Sequence, residues 1–366
     1  MIEIPVELGE RRYPISIGHG LTRRLPDLLS SFRGRPIVVV STPRVWRLHG
    51  RAVEGPLRAL GPLTRAVVPD GERHKSRRSL DALHDAFLAA RLGRDGLVVA
   101  VGGGAVSDVA GFAAATYMRG VAWVPIPTTL LAMVDSSVGG KVGINHPRVK
   151  NLIGAFHQPR AVVVDPAFLE TLPARQLRSG AYEVLKCGIL GDRALFRALQ
   201  KAPPGLRAWS RVDVESALAS ACRIKAEVVE KDERESGRRR VLNLGHTLGH
   251  ALESVTRYRR FTHGEAVGWG LVGAAWIARR RGLLAEDAFD AIAATVDHLG
   301  PRPPVSDLRP DRVLESLSHD KKSRRGRPTF VLPLAIGRVA VHEDVEPGEI
   351  RRALKVMAAR EVLLKA

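Results

Sequence analysis

Leu97-Val-Val-Ala-Val101 runs directly into Gly102-Gly103-Gly104 and then into Ala105-Val-Ser-Asp108, and the fold turns on this stretch. Five consecutive apolar residues rich in valine, stopped by glycines, read as a strand buried on both faces. A helix that starts straight after such a turn leaves backbone N–H groups and a positive helix end beside a loop that allows close approach, which suits a pyrophosphate. The spacing departs from GxGxxG, because Ser107 stands where the third glycine would be. A plain tight turn therefore fits almost as well. Asp108, just inside the helix, is placed either to cap it or to reach a cofactor hydroxyl.

Outward from this point the pattern repeats. Pro36-Ile-Val-Val-Val-Ser41 and Val121–Ile126 read as two more buried strands, and Ser79–Arg91 as an amphipathic helix. Strands that alternate with helices imply a parallel sheet with crossovers. From about Pro173 onward, Gln176–Gln200, Val212–Glu235, Arg239–Ser254 and Glu265–Arg281 carry helical periodicity, and Gly300–Pro304 reads as a loop. Strand signal stops between Asp165 and Pro173. The expectation is an α/β domain over residues 1–170 followed by an all-α domain over residues 171–366.

The 366 residues suffice for two domains with sizeable cores. A formal charge of +19 suggests nucleic acid, an anionic membrane face or an acidic small substrate. Only 5% of residues are aromatic, too few for the stacking platforms of single-strand binding, so the arginines read as a solvated surface. The mostly apolar run Val121–Val134 is broken by Pro125 and Pro127 and is too short to span a bilayer. The first twenty residues alternate apolar and charged side chains, unlike a signal peptide. Cys187 and Cys222 make no disulfide framework, and a cytoplasmic location is expected.

Lysine is scarce, with eleven against forty-six arginines, so the surviving lysines are a pointer to places where a compact ammonium serves better than a planar fork. Lys75, Lys141, Lys150, Lys186, Lys225, Lys321 and Lys322 all fall in segments singled out here. Val134-Asp-Ser-Ser-Val-Gly-Gly-Lys141 and Asn145–Asn151 form a glycine-rich, lysine-punctuated loop in which backbone and ammonium can converge on one anion. The P-loop spacing is absent, so ATP chemistry is not indicated.

Arg239, Asn243, His246 and His250 are offset by 0, 4, 7 and 11 residues, which on one continuous helix puts them within about 60° of each other. Gly245 and Gly249 keep the neighbourhood small. His263 follows in Thr262-His-Gly-Glu265, and Glu183 and Lys186 share a face of an earlier helix. Glu183 with two of His246, His250 and His263 would give the three protein ligands of a catalytic zinc site, and spacing alone does not choose the two. HExxH is absent, so a metalloprotease lacks its general base.

Eight motifs in order resemble the 3-dehydroquinate synthase family of sugar phosphate cyclases: Gly102–Asp108, Pro127–Leu131, Val134–Lys141, Lys150–Gly154, Glu183–Lys186, Asp232–Glu235, Leu242–His250 and His263–Val267. The resemblance implies a Rossmann-like NAD-binding domain, an all-α metal and substrate domain, and conversion of 3-deoxy-D-arabino-heptulosonate 7-phosphate to 3-dehydroquinate plus phosphate. It implies NAD and a divalent metal, Zn2+ or Co2+, with Glu183, His246 and His263 as ligands. It implies NAD contacts at Glu72, Lys75, Gly103, Gly104, Ala105, Asp108, Thr128, Thr129, Lys141, Lys150 and Thr171. Substrate contacts carry over to Asp135, Lys141, Asn151, Lys186, Lys225, Arg239, Asn243, His250 and Lys321. Arg119 would reach the other subunit's substrate phosphate in a homodimer. Met133, Val142 and Arg148-Val149 depart from the family pattern, around the glycine loop rather than at reacting groups.

Three rivals follow from the same residues. A sister cyclase would keep NAD and metal but lack contacts to a substrate carboxylate. A metal-dependent polyol dehydrogenase would release NADH stoichiometrically. A basic nucleic-acid-binding protein would show steep salt dependence of DNA affinity.

Overall fold

A computed structural model of the chain describes residues 1–147, 149–203, 208–318 and 328–363. It divides into two compact units, Met1–Pro173 with Ser210–Arg234, and Ala174–Trp209 with Glu235–Ala366.

In the first unit the three predicted strands, joined by Leu63–Val67, which the sequence reading did not anticipate, form a four-stranded parallel sheet. Its members are β3 (Ile37–Ser41), β4 (Leu63–Val67), β5 (Leu97–Gly102) and β6 (Ala122–Pro127), in the order β4-β3-β5-β6. β3 and β5 are buried throughout, as an all-apolar strand covered on both faces must be. Val38, Val40, Val98 and Ala100 pack with Trp123, Phe87 and the small face Val109–Ala114 of helix Gly104–Thr116. The strand order reverses between β3 and β5, and open α/β sheets bind ligands outside the carboxyl ends of strands at such a switch point. The Gly102-Gly103-Gly104 turn stands at that end of β5.

Two smaller sheets complete the unit. β1 (Ile2–Val6) and β2 (Tyr13–Ile17) are antiparallel, and β9 (Val162–Val164) joins β2 in parallel. The expected glycine-rich loop is instead an antiparallel hairpin of β7 (Lys141–His146) and β8 (Val149–Phe156). Gly143 and Gly154 face each other in its register, each with backbone of the opposite strand where a Cβ would be, so the glycines serve strand approach.

The domain expectation needs one correction. Helix Arg211–Lys231, assigned by sequence order to the second domain, packs against β1, β2 and the Ala132–Ser136 turn, and so belongs to the first unit. His19 Nδ1 meets Glu215 at 2.7 Å and Arg11 meets Glu233 at 2.7 Å, tying the N-terminal strands to this region.

The second unit is largely helical, but not all-α as expected: Phe330–Ala335 (β10) and Arg338–His342 (β11) form a hairpin. Its centre is helix His263–Arg280, which buries almost every residue from Gly264 to Ala275. Around it pack helices Ala174–Gly191, His246–Val255, Glu286–His298 and Pro347–Leu363. Gln176–Gln200 is two helices, since Asp192 caps a new start with its side chain on Ala194 and Leu195 N–H. Among the described residues no helix is long and apolar enough to cross a membrane.

Candidate active site

In the first unit, Gly103 caps helix Gly104–Thr116 without any side-chain hydrogen bond, so the first-turn N–H groups are not covered by a capping side chain. A Cβ on Gly104 would lie 2.9 Å from Ser136 Oγ, so a side chain here would have to displace that hydroxyl. The hydroxyls of Ser107, Ser136 and Ser137 are buried without hydrogen-bond partners. Uncapped helix end, glycine cradle and unsatisfied hydroxyls together fit a phosphate-bearing cofactor.

Asp108 does not cap its helix. Its Oδ2 accepts from Lys75 Nζ at 2.6 Å, and the same ammonium donates to Asn151 Oδ1 and lies 3.5 Å from Glu72 Oε1. Asn145 closes the ring: its Nδ2 donates to Glu72, and its Oδ1 accepts the Asn151 N–H at 2.9 Å. Asn151 has φ 51°, a left-handed conformation that asparagine tolerates. Lys75 is only 3% exposed. Burial would lower its pKa, but Asp108 and Glu72 outweigh burial and raise it, so the ammonium stays charged.

Asp135 lies in the π-helical turn Ala132–Ser136, a form frequent at functional sites. Lys225, from helix Arg211–Lys231, is buried and bonds both the carboxylate and the carbonyl of Asp135. Thr128 is buried and donates its N–H to Gly102 O at 2.9 Å, while Thr129 Oγ1 accepts from Ala132 N–H. Thr171 Oγ1 donates to Phe168 O and lies 2.9 Å from His49 Nε2. Lys141 opens β7 exposed, Lys150 is half-buried on β8, and Ala105 is half-buried in the first turn after Gly104. Arg119 is exposed with φ 68°.

The second unit assembles the histidines. The expected continuous helix Arg239–Ser254 is broken: Arg238–Asn243 is 3-10, Gly245 takes φ 77°, and a new helix starts at His246. A Cβ on Gly245 would lie 3.0 Å from Val267 O and Leu271 N, so helix His263–Arg280 packs too closely for any side chain. The single-face argument thus holds for His246 and His250 and fails for Arg239 and Asn243. Those two lie in the 3-10 turn before the break, Arg239 buried and Asn243 half-buried. His263 is the first residue of its helix rather than a loop residue. Thr262 and Glu265 form a reciprocal capping box, and Arg175 holds Glu265 through two bonds of 2.8 and 2.7 Å.

Nitrogens of His246, His250 and His263 lie within 4.8 Å of one another. Glu183, 1% exposed, is ion-paired through Oε2 to Lys186, itself buried. Its Oε1 has no hydrogen-bond donor and stands 3.7 Å from His246 Nε2 and 3.5 Å from His263 Nε2. His246 Nδ1 lies 3.1 Å from Leu244 O, which leaves Nε2 for another partner. Burial, with Lys186 and the other two imidazoles, pushes His246 well below its usual pKa, the neutral form a metal needs. An orphaned carboxylate oxygen among nitrogen donors fits a divalent metal.

Lys321, expected at the substrate, lies outside the described residues. Two residues carrying site geometry were not singled out from sequence: Asn145, which braces Glu72 and Asn151, and Glu253, whose Oε2 lies 3.2 Å from His263 Nδ1. Glu253 was legible as position seven after His246 on the same helix face, and Thr262-x-x-Glu265 as a capping box.

A parallel α/β unit with a phosphate-type glycine turn, followed by a helical unit with a glutamate–histidine cluster, is the arrangement expected of a sugar phosphate cyclase, and the sequence comparisons decide the class. Profiles of the 3-dehydroquinate synthase N-terminal and C-terminal domains match residues 65–179 and 180–323. A 3-dehydroquinate synthase of Thermosynechococcus vestitus is 44% identical over 97% of this chain and 99% of its own length. One from Pelotomaculum thermopropionicum is 46% identical over 93% of each chain. The solved 2-epi-5-epi-valiolone synthase of Streptomyces hygroscopicus, with NAD+ and Zn2+ bound, superposes with a TM-score of 0.86 at 29% identity, covering 98% of this chain and 99% of its own. The chain belongs to the 3-dehydroquinate synthase family.

Proposed function

We propose that the chain converts 3-deoxy-D-arabino-heptulosonate 7-phosphate to 3-dehydroquinate and phosphate. The carrying observation is 44–46% identity to 3-dehydroquinate synthases over nearly the whole chain, with the Glu183–His246–His263 constellation assembled. Glu183, His246 and His263 would hold the metal, zinc or cobalt, with His250 beside them for substrate. Gly103, Gly104, Ala105 and Asp108 would hold NAD+, with Glu72, Lys75, Thr128, Thr129, Lys141, Lys150 and Thr171 around it. When bound, NAD+ supplies a hydride acceptor and the metal Lewis acidity toward substrate oxygens.

The chain's own residues bind and orient. Lys186 holds one oxygen of Glu183 so that the other faces the imidazoles. Arg239 and Lys186 would supply buried positive charge for an anionic substrate, where low dielectric strengthens each contact, and the family likeness assigns Lys225 to the substrate as well. Asn151, Asn243 and Asp135 add neutral and acidic partners for the sugar hydroxyls. Oxidation of the neighbouring alcohol would acidify a C–H, whose proton would pass to the phosphate as it leaves with the bonding pair of its C–O bond; the hydride would then return to the ketone, and ring opening and an aldol closure would give the product with no net change in the cofactor. A homodimer in which Arg119 reaches the substrate phosphate of the other copy follows from the family likeness.

A sister cyclase activity is the second reading, favoured by the shared fold with the valiolone synthase at lower identity. A substrate panel separates them. Turnover of the heptulosonate phosphate, with none of a carboxylate-free seven-carbon sugar phosphate or a hexose phosphate, supports the main reading. The reverse preference contradicts it.

A further inference from the structure

We propose that Glu253 is a positioning residue for the metal site, fixing the His263 tautomer that turns Nε2 toward Glu183; this rests on the ligand set proposed above. Glu253 is 5% exposed, and a carboxylate buried this far must be paired or hydrogen-bonded. Its Oε2 lies 3.2 Å from His263 Nδ1, within reach of an N–H donor. Accepting that N–H leaves the Nε2 lone pair on the side of Glu183 Oε1, 3.5 Å away. His246 is treated the same way by a different acceptor, Leu244 O, on its own Nδ1. Both imidazoles are thus held in the Nδ1–H form from behind, and both present Nε2 to one unpartnered oxygen. The His263 contact joins two helices, because Glu253 sits on His246–Val255 and His263 opens His263–Arg280. A carboxylate behind a ligating histidine sets its orientation and raises its basicity. A mere clamp between the helices would cost stability on removal but leave metal affinity and geometry alone.

The test uses the full chain, stripped by chelation. It is titrated with Zn2+ against a competing chelator, and loaded with Co2+ to read the visible ligand-field bands. E253A is expected to bind Zn2+ about 10- to 100-fold more weakly and to shift the Co2+ bands. E253Q, whose amide oxygen still accepts from Nδ1, is expected to recover most of the affinity. Should E253A not fold, E253D carries the test: its shortened carboxylate withdraws from Nδ1 and is expected to weaken Zn2+ binding at unchanged helix content. Wild-type Zn2+ affinity and an unaltered Co2+ spectrum in the folded variant overturn the proposal when H263A loses the metal. Retention of wild-type affinity by H263A overturns the ligand set itself, and this proposal falls with it.

Discussion

At the scale of single residues, three buried lysines stand out. Lys75, Lys186 and Lys225 are each sunk in protein and each meets a carboxylate: Asp108, Glu183 and Asp135. Taking away one partner of such a pair strands the other in a poor dielectric. K75M is therefore expected to lower stability by about 3 kcal/mol and to weaken NAD+ binding, read by thermal unfolding and NAD+ titration. An unchanged Tm would show that Asp108 has another partner of equal weight. H263A should cut Zn2+ affinity by more than about 100-fold, since a ligand outweighs the groups behind it; full metal occupancy at wild-type affinity would contradict the ligand set. The scarcity of lysine made these three positions visible in the sequence. Their partners were visible only in part, because pairing across 33 and 90 positions depends on how the units fold.

Among the elements, the break at Gly245 does the most for the site. It ends a 3-10 turn, restarts the chain at His246, and lets helix His263–Arg280 approach. G245A forces a side chain into a left-handed conformation and against that helix. It is expected to cost at least about 1–3 kcal/mol and to lower Zn2+ occupancy, measured by unfolding and metal analysis. The helical period of Arg239–Ser254 concealed this break, since periodicity does not report the sign of φ. The hairpin β7–β8 was hidden for a related reason: glycine and lysine in alternation look like a loop until the opposite strand supplies hydrogen bonds.

Arg281, just past the same long helix, clamps Glu349 with two bonds of 2.7 Å and Asp344 with one of 3.0 Å to its carboxylate and one of 2.9 Å to its carbonyl. The hydrogen bond from Arg281 holds Glu349 below the usual carboxylate range. Its contribution is complete above the unfolded carboxylate pKa and is lost as pH falls through the depressed folded value. E349Q should therefore unfold at lower temperature than wild type at pH 7, by about 1 kcal/mol, with the two Tm curves converging below about pH 4. Parallel curves across that range would refute the assignment.

On the scale of the whole molecule, the fold was legible where physics is local. β3, β5 and β6 stand where the buried apolar runs were, within one or two residues, and the sheet is parallel as alternation with helices requires. The return of Arg211–Lys231 to the first unit was not legible, since an amphipathic helix does not say which apolar face it will meet. The net charge of +19 suits the steering of an anionic substrate but exceeds what that task requires, and nothing in the structure explains the excess.

The most direct test of the central claim is phosphate release from 3-deoxy-D-arabino-heptulosonate 7-phosphate by the purified chain with NAD+, before chelation, after it, and after Zn2+ is restored, with NADH absorbance followed throughout. The account predicts release that chelation abolishes and Zn2+ restores, 3-dehydroquinate as the organic product, and no net NADH. Metal-loaded protein that releases no phosphate, or that accumulates NADH in step with substrate consumed, would contradict it.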